Sequence, residues 1–305
     1  MRRILGILGC TGVGKSKVAV KVAKLLDGII VSADSMQVYK GMDVGTAKIT
    51  ADEMDGVQHF MLDVVECDQP YSAVNYAEDV KKVLEDNPFG TPILAGGTGF
   101  YFDSLFLPFD FENNEQTLLV RKEMQDLYEN QGKDALLQVL EKVDPTSFET
   151  IDKNNIKRVI RAIEIASSGQ LKSQGTRNSR KEIMPKLLFV LTRPRQQIVE
   201  ATATRVDKMF EMGLVEEVQS LYEKFDRRDQ LQSFQAIGYK EIISYLKGEC
   251  SLEEAKEQIK IATRQYAKRQ TTYFKRMDAE FIDVEQFANL DEIAQYIADK
   301  YKNAN

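Results

Sequence analysis

The sequence predicts a parallel β-sheet covered by helices, built around a phosphate-binding loop and interrupted by an inserted helical segment. Three observations predict this. Residues Gly9-Cys10-Thr11-Gly12-Val13-Gly14-Lys15-Ser16 match the pattern Gly, four residues, Gly-Lys-Ser without a gap. An apolar run, Ile4-Leu5-Gly6-Ile7-Leu8, precedes that loop, and Val18, Val22, Leu25 and Leu26 follow it at helical spacing. Strand patterns then alternate with helical ones along the 305 residues, except between 112 and 182, where the pattern is helical alone.

The order strand, glycine loop, helix is the context in which backbone N–H groups and a helix N-terminus hold a di- or triphosphate. Lys15 would bring its charge to a phosphate, and the Ser16 hydroxyl would stand where such loops hold Mg2+. The fold expected is therefore a P-loop NTPase-like α/β core. Residues 28–32 read as a second buried strand that delivers Ala33-Asp34-Ser35 to the same rim, since ligands gather at the carboxyl ends of parallel strands. Asp34 is a candidate base there, with capping of the next turn as the plainer reading. Residues 37–48 are glycine-punctuated and aperiodic, and read as an active-site loop. Residues 59–65 read as a strand carrying the protein's one histidine, His59, taken as structural.

Ser72 caps a helix predicted to 84, and 92–95 form a strand ending in Gly96-Gly97-Thr98-Gly99, where the backbone can approach a ligand closely. Phe100, Tyr101 and Phe102 read as core. Leu94-Ala95 carries no following aspartate of the kind that holds magnesium in ATP-hydrolysing relatives, and Asp63 after Leu62 is the one weak substitute. The cradle is therefore expected to hold a diphosphate that is not a nucleotide. Helices are predicted over 115–130, 133–143 and 152–167, followed by a polar loop over 169–181. The predicted division is a catalytic core of 1–111 with 183–305 and an inserted helical subdomain of 112–182. In the returning core, 186–191 and 280–283 read as strands, and 196–212, 214–225, 235–246, 252–276 and 290–301 as helices.

Three well-separated cysteines and one histidine exclude a disulfide framework and a zinc site. No run of eighteen apolar residues occurs, so a cytoplasmic protein is expected, and a monomer with no membrane partner. The net charge of −6 argues against a polyanionic partner, but its distribution argues back. Lys153, Lys157, Arg158, Arg161, Lys172, Arg177, Arg180 and Lys181 face the single acid Glu164; Lys256, Lys260, Arg264, Lys268, Arg269, Lys275 and Arg276 face Glu257. Two basic segments on an acidic chain point to localised contacts with a nucleic acid.

The phosphate loop, Ser32-Ala33-Asp34-Ser35-Met36-Gln37-Val38-Tyr39, Gly41-Met42-Asp43-Val44-Gly45-Thr46-Ala47-Lys48, Gly96 to Tyr101, Ile237-Gly238-Tyr239-Lys240-Glu241 and Ala262-Thr263-Arg264-Gln265-Tyr266-Ala267-Lys268-Arg269-Gln270 resemble, in order and spacing, the tRNA dimethylallyltransferases. The resemblance covers nearly the whole chain. It implies transfer of a dimethylallyl group from dimethylallyl diphosphate to N6 of adenosine 37 in tRNAs reading codons that begin with U. It implies Gly9 to Ser16 on the diphosphate with Mg2+ at Ser16, Arg205 on the same group, Asp34 as base, and Thr98 orienting Asp34 and the adenine. Contacts to the tRNA anticodon stem-loop are implied for Asp34, Ser35, Met36, Gln37, Thr98, Arg121, Lys157, Arg158, Arg161, Gln235, Gly238, Tyr239, Lys240, Lys268, Arg269, Gln270 and Lys275. The chain departs from the family at Cys10, where proline is usual, at Ala201, where arginine is common, and at Ser16, where threonine is frequent. An adenylate isopentenyltransferase acting on free nucleotide and a P-loop small-molecule kinase remain the neighbouring readings.

Overall fold

The computed structural model describes residues 2–107, 115–167, 184–225 and 228–304. The chain divides into two compact units, Met1–Phe106 with Met184–Asn305, and Leu107–Ile183. In the larger unit six strands, β1 (Ile4–Gly9), β2 (Gly28–Ala33), β3 (His59–Phe60), β4 (Thr91–Gly96), β5 (Lys186–Thr192) and β6 (Glu280–Asp283), form one sheet in the order β3-β2-β4-β1-β5-β6. Every pairing is parallel. From β1 the chain moves two places one way to β2, and from β4 two places the other way to β5. The connections thus diverge at neighbouring strands β1 and β4, and parallel sheets bind ligands beyond the carboxyl ends at such a divergence.

The first part of the larger unit adds α1 (Lys15–Leu26), α2 (Ala51–Met54), α3 (Ala73–Asp86) and α4 (Gly99–Phe106). The smaller unit is α5 (Glu115–Val143), which breaks at Gly132 (φ 81°) between the two helices expected there, α6 (Pro145–Thr150) and α7 (Ile156–Ser167). The larger unit resumes with α8 (Arg195–Glu211), α9 (Leu214–Lys224), α10 (Tyr239–Leu246), α11 (Leu252–Phe274) and α12 (Leu290–Ala304). Alternation along the strands divides the core in two. Leu5, Ile7, Ile30, Ile93 and Phe189 face α1 and α12, whereas Ile4, Leu8, Val31, Leu94, Leu188 and Val190 join the cluster that includes α3, α4, α9, α10 and α11. The smaller unit has its own core of Leu136, Leu140, Val159, Ile160 and Ile163.

Several expectations are corrected. The strand expected over 59–65 pairs in the sheet only at His59 and Phe60, because Met61 and Asp63 take φ of 64° and 53° and the chain turns out of the sheet. It then pairs with the 37–40 segment instead, Val64 and Val65 both donating to the Val38 carbonyl. The helix expected from 235 begins at Tyr239, since Gly238 has φ 97° and a short 3-10 turn, Ser233–Gln235, precedes it. The helix expected from 152 begins at Ile156, and α6 was not anticipated, although Asp144 accepts from the Ser147 N–H at 3.0 Å ahead of Pro145, a readable cap. Tyr101 and Phe102 are core at 4% and 0% exposure, whereas Phe100 is 45% exposed. The loop expected over 169–181, with Lys172, Arg177, Arg180 and Lys181, lies outside the described residues.

Candidate active site

The phosphate loop leaves β1 at the divergence and enters α1 through Gly14, which has φ 100°. One pocket collects Thr11, Lys15 and Ser16 from this loop, Asp34 and Gln37 from the turn after β2, Gly96 and Gly97 from the end of β4, Arg205 from α8 and Gln270 from α11. Ile30, Ile49, His59 and Leu62 are among the other residues of its wall. Lys15 donates to the Cys10 carbonyl at 2.9 Å. Burial pushes its ammonium down to about 8; Cys10 and Asp34 act the other way, and Arg205 adds to the depression. Burial likewise lowers Arg205, with Asp34 and Glu53 opposing, and the Arg205 guanidinium donates to the Thr46 carbonyl at 3.0 Å. Two cations are therefore held in a desolvated place with few anionic partners, as a site for a polyanion requires.

Asp34 lines the same pocket. Its Oδ1 accepts from the Met36 N–H at 3.0 Å, so the capping role foreseen for it occupies one oxygen of the carboxylate. Thr98 acts on the turn rather than on the carboxylate itself: its Oγ1 accepts from the Ser35 N–H at 3.1 Å, and its own N–H donates to the Ala33 carbonyl at 3.0 Å. Tyr266 hydrogen-bonds with the Thr98 side chain from α11. Gln37 accepts from the Ser32 hydroxyl at 3.1 Å. Ser35 and Met36 are half-buried beside it.

Gln270 bridges two loops of the site. It is 4% exposed, its Oε1 accepts from the Thr11 N–H at 2.9 Å, and its Nε2 donates to the Gly97 carbonyl at 3.0 Å. It ties the phosphate loop to the turn after β4 through one of its two amide N–H groups and its carbonyl oxygen, and it lines the pocket. Gly97 permits this, because a Cβ there would lie 2.2 Å from the Gln270 Nε2. Tyr239 is fully buried and donates to Glu217. Gly238 is buried and its N–H is taken by Glu241 at 2.8 Å. Asp63, the weak candidate metal ligand, instead pairs with Lys48 at 2.6 Å.

The cationic candidates divide by surroundings. On α11, Lys268 and Arg269 are exposed, as is Lys275 just beyond its end, and Lys240 and Gln235 are exposed near α10. On α7, Lys157 and Arg158 are exposed, while Arg161 pairs with Glu164 at 2.6 Å and Arg121 binds the same carboxylate, which is 1% exposed. Arg121 and Arg161 thus neutralise a buried acid first, and the pair keeps one net positive charge. Sequence reasoning missed His59 as a wall of the pocket. Its Nδ1 lies 2.8 Å from the Val57 carbonyl, which only accepts, and burial lowers its pKa, so it stands as a neutral imidazole protonated at Nδ1. Ala201, one turn before Arg205, lies against the phosphate loop, where a Cβ on Gly12 would be 3.4 Å from it.

The sequence model described as IPP transferase matches residues 37–277. The chain belongs to the IPP transferase family. The tRNA dimethylallyltransferase of Bacillus cytotoxicus is 41% identical over 303 residues, covering 98% of this chain and 95% of that protein. That of Bacillus anthracis is 40% identical, covering 98% and 96%. The crystal structure of tRNA delta(2)-isopentenylpyrophosphate transferase from Staphylococcus epidermidis aligns over the whole of both chains at 36% identity with a TM-score of 0.74. A eukaryotic dimethylallyltransferase acting on tRNA aligns over 100% of this chain and 80% of its own, at 27% identity and a TM-score of 0.83. The IPP transferase family therefore accounts for both units, and the P-loop α/β core expected from the motif is the fold it has.

Proposed function

We propose that this chain transfers the dimethylallyl group of dimethylallyl diphosphate to N6 of adenosine 37 in tRNAs that read codons beginning with U, releasing diphosphate. The observation that carries the reading is one pocket lined by Lys15 and Ser16 of the phosphate loop, by Arg205 and by Asp34. Prenyl transfer needs both the cations and the carboxylate. The allylic C–O bond breaks as negative charge gathers on the diphosphate, which Lys15, Arg205 and the loop N–H groups stabilise. The new C–N bond forms at an amine whose lone pair is delocalised into the purine, and Asp34 accepts the proton that the amine loses. The names of the relatives support tRNA as acceptor, and the exposed cations of α7 and α11 suit an RNA backbone.

Mg2+ fits the donor set in a limited way. Among the described residues no cluster of three or more carboxylate, histidine or cysteine side chains occurs, so the Ser16 hydroxyl would share the ion with diphosphate oxygens and water, as magnesium prefers. When bound it would offset charge on the leaving group. No described helix is long and apolar enough to cross a membrane; residence in the cytoplasm and a monomeric state are part of the proposal.

Two tests arise from this surface and this charge. Because Lys15 titrates near 8, a polyanion that favours its charged form must raise its pKa, so binding of dimethylallyl diphosphate at pH 8.5 is expected to take up roughly half a proton or more. Titration calorimetry in two buffers of different ionisation enthalpy checks this, and release of protons, or none exchanged, contradicts it. Lys268→Glu with Lys275→Glu is expected to weaken RNA binding and to flatten its salt slope by about 0.7–0.9 per lost phosphate contact, with donor affinity unchanged. Filter binding over a salt series reads the slope, and an unchanged slope moves the RNA surface off α11.

A further inference from the structure

The turn within the 41–48 motif is closed by one carboxylate from α9. The N–H groups of Asp43 and Val44 donate to Glu217 Oε2 at 2.9 and 2.7 Å, and that of Gly45 to Oε1 at 3.0 Å. The Tyr239 phenol donates to the same Oε1 at 2.5 Å. Four donors thus meet the four lone-pair positions of an ionised carboxylate, three of them successive backbone N–H groups of the kind that form an anion nest. The packing is tight enough to require a glycine, since a Cβ at Gly45 would come within 2.5 Å of the Tyr239 ring. From the other side Lys48, its side chain 6% exposed, bridges Asp43 and Asp63 at 2.6 Å each.

One residue beyond this turn the brace reaches the pocket. The Thr46 carbonyl accepts from Arg205 Nη2 at 3.0 Å and from the Gln37 amide at 3.4 Å. It is thus an acceptor that holds the Arg205 guanidinium, which lines the pocket. We propose that Glu217 is a positioning residue for the diphosphate site: by locking the Asp43–Gly45 N–H groups and the Tyr239 phenol it sets the Thr46 carbonyl, and through it the Arg205 guanidinium. This assigns work to the 41–48 and 237–241 motifs that contact with RNA does not explain, and it rests on reading the pocket as a diphosphate site.

Glu217→Gln separates this role from bulk. The amide keeps one oxygen and turns an NH2 group toward the backbone donors, leaving at least two of the four unpaired. The test is a double-mutant cycle with magnesium pyrophosphate as the titrant and wild type, Glu217→Gln, Arg205→Ala and the double variant as proteins. Glu217→Gln is expected to weaken pyrophosphate binding by about tenfold and to cost less than about twofold once Arg205 is gone, because its effect passes through that guanidinium. If Glu217→Gln melts below the assay temperature, Tyr239→Phe takes its place in the cycle, with a smaller loss and the same non-additivity. Wild-type affinity in the glutamine variant, or losses that multiply in the double variant, overturns the brace. Failure of the wild-type protein to bind pyrophosphate overturns the diphosphate reading instead.

Discussion

Asp34→Asn is expected to reduce prenyl transfer by about a hundred- to ten-thousand-fold, the range for loss of a positioned general base. Asparagine is close in volume and keeps an oxygen that can accept from the Met36 N–H, as Asp34 Oδ1 does at 3.0 Å, so the turn and Thr98's bond to Ser35 should survive. What is lost is the proton acceptor facing the pocket. Donor KM and RNA affinity should therefore stay within a few-fold of wild type, and the deficit should appear in kcat. The assay belongs at pH 7: Asp34 supports the charge of Lys15, so its neutralisation lowers the lysine below its value of about 8, and at higher pH two effects would be confounded. Single-turnover transfer near the wild-type rate would remove Asp34 from the chemistry.

Lys15→Ala is expected to cost about a hundred- to a thousandfold in kcat/KM, the scale for removing one preorganised charge from an anionic transition state. The loss should fall more on kcat than on donor KM, because charge on the leaving oxygens grows as the C–O bond breaks and the lysine gains most there. Arg205 remains as a cation of the pocket, and Ala201 adds none, so little compensation is available. RNA binding, read by filter retention, should be unaffected. A deficit confined to KM would mean that Lys15 binds ground and transition states alike.

What was legible in the sequence was what is contiguous. The phosphate loop, the β2 and β4 termini and their side chains follow from local patterns, because each strand delivers its own next residues to the rim. Gln270 was found as part of a motif, but its bond to Thr11 was not legible, since the two are 259 residues apart and neither periodicity nor charge reports it. The Tyr239 contact was hidden in the same way: its hydroxyl donates to Glu217, which accepts from a turn more than 170 residues earlier in the chain. The basic stretch at 157–161 was visible as charge, yet the pairing of Arg121 and Arg161 with the buried Glu164 depends on helix packing, which charge alone does not report. His59 was dismissed for lack of a nearby partner, and only the pairing of β3 beside β2 places it at the pocket.

The measurement that tests the central claim most directly is incorporation of labelled dimethylallyl from its diphosphate, with magnesium, into an anticodon stem-loop carrying three consecutive adenines, beside the same loop with guanine at position 37. The reading of Lys15, Arg205 and Asp34 around one pocket predicts label in the adenine loop alone, lost in Asp34→Asn. Label in neither loop from a folded protein that binds the donor, or equal label in free AMP, would contradict it.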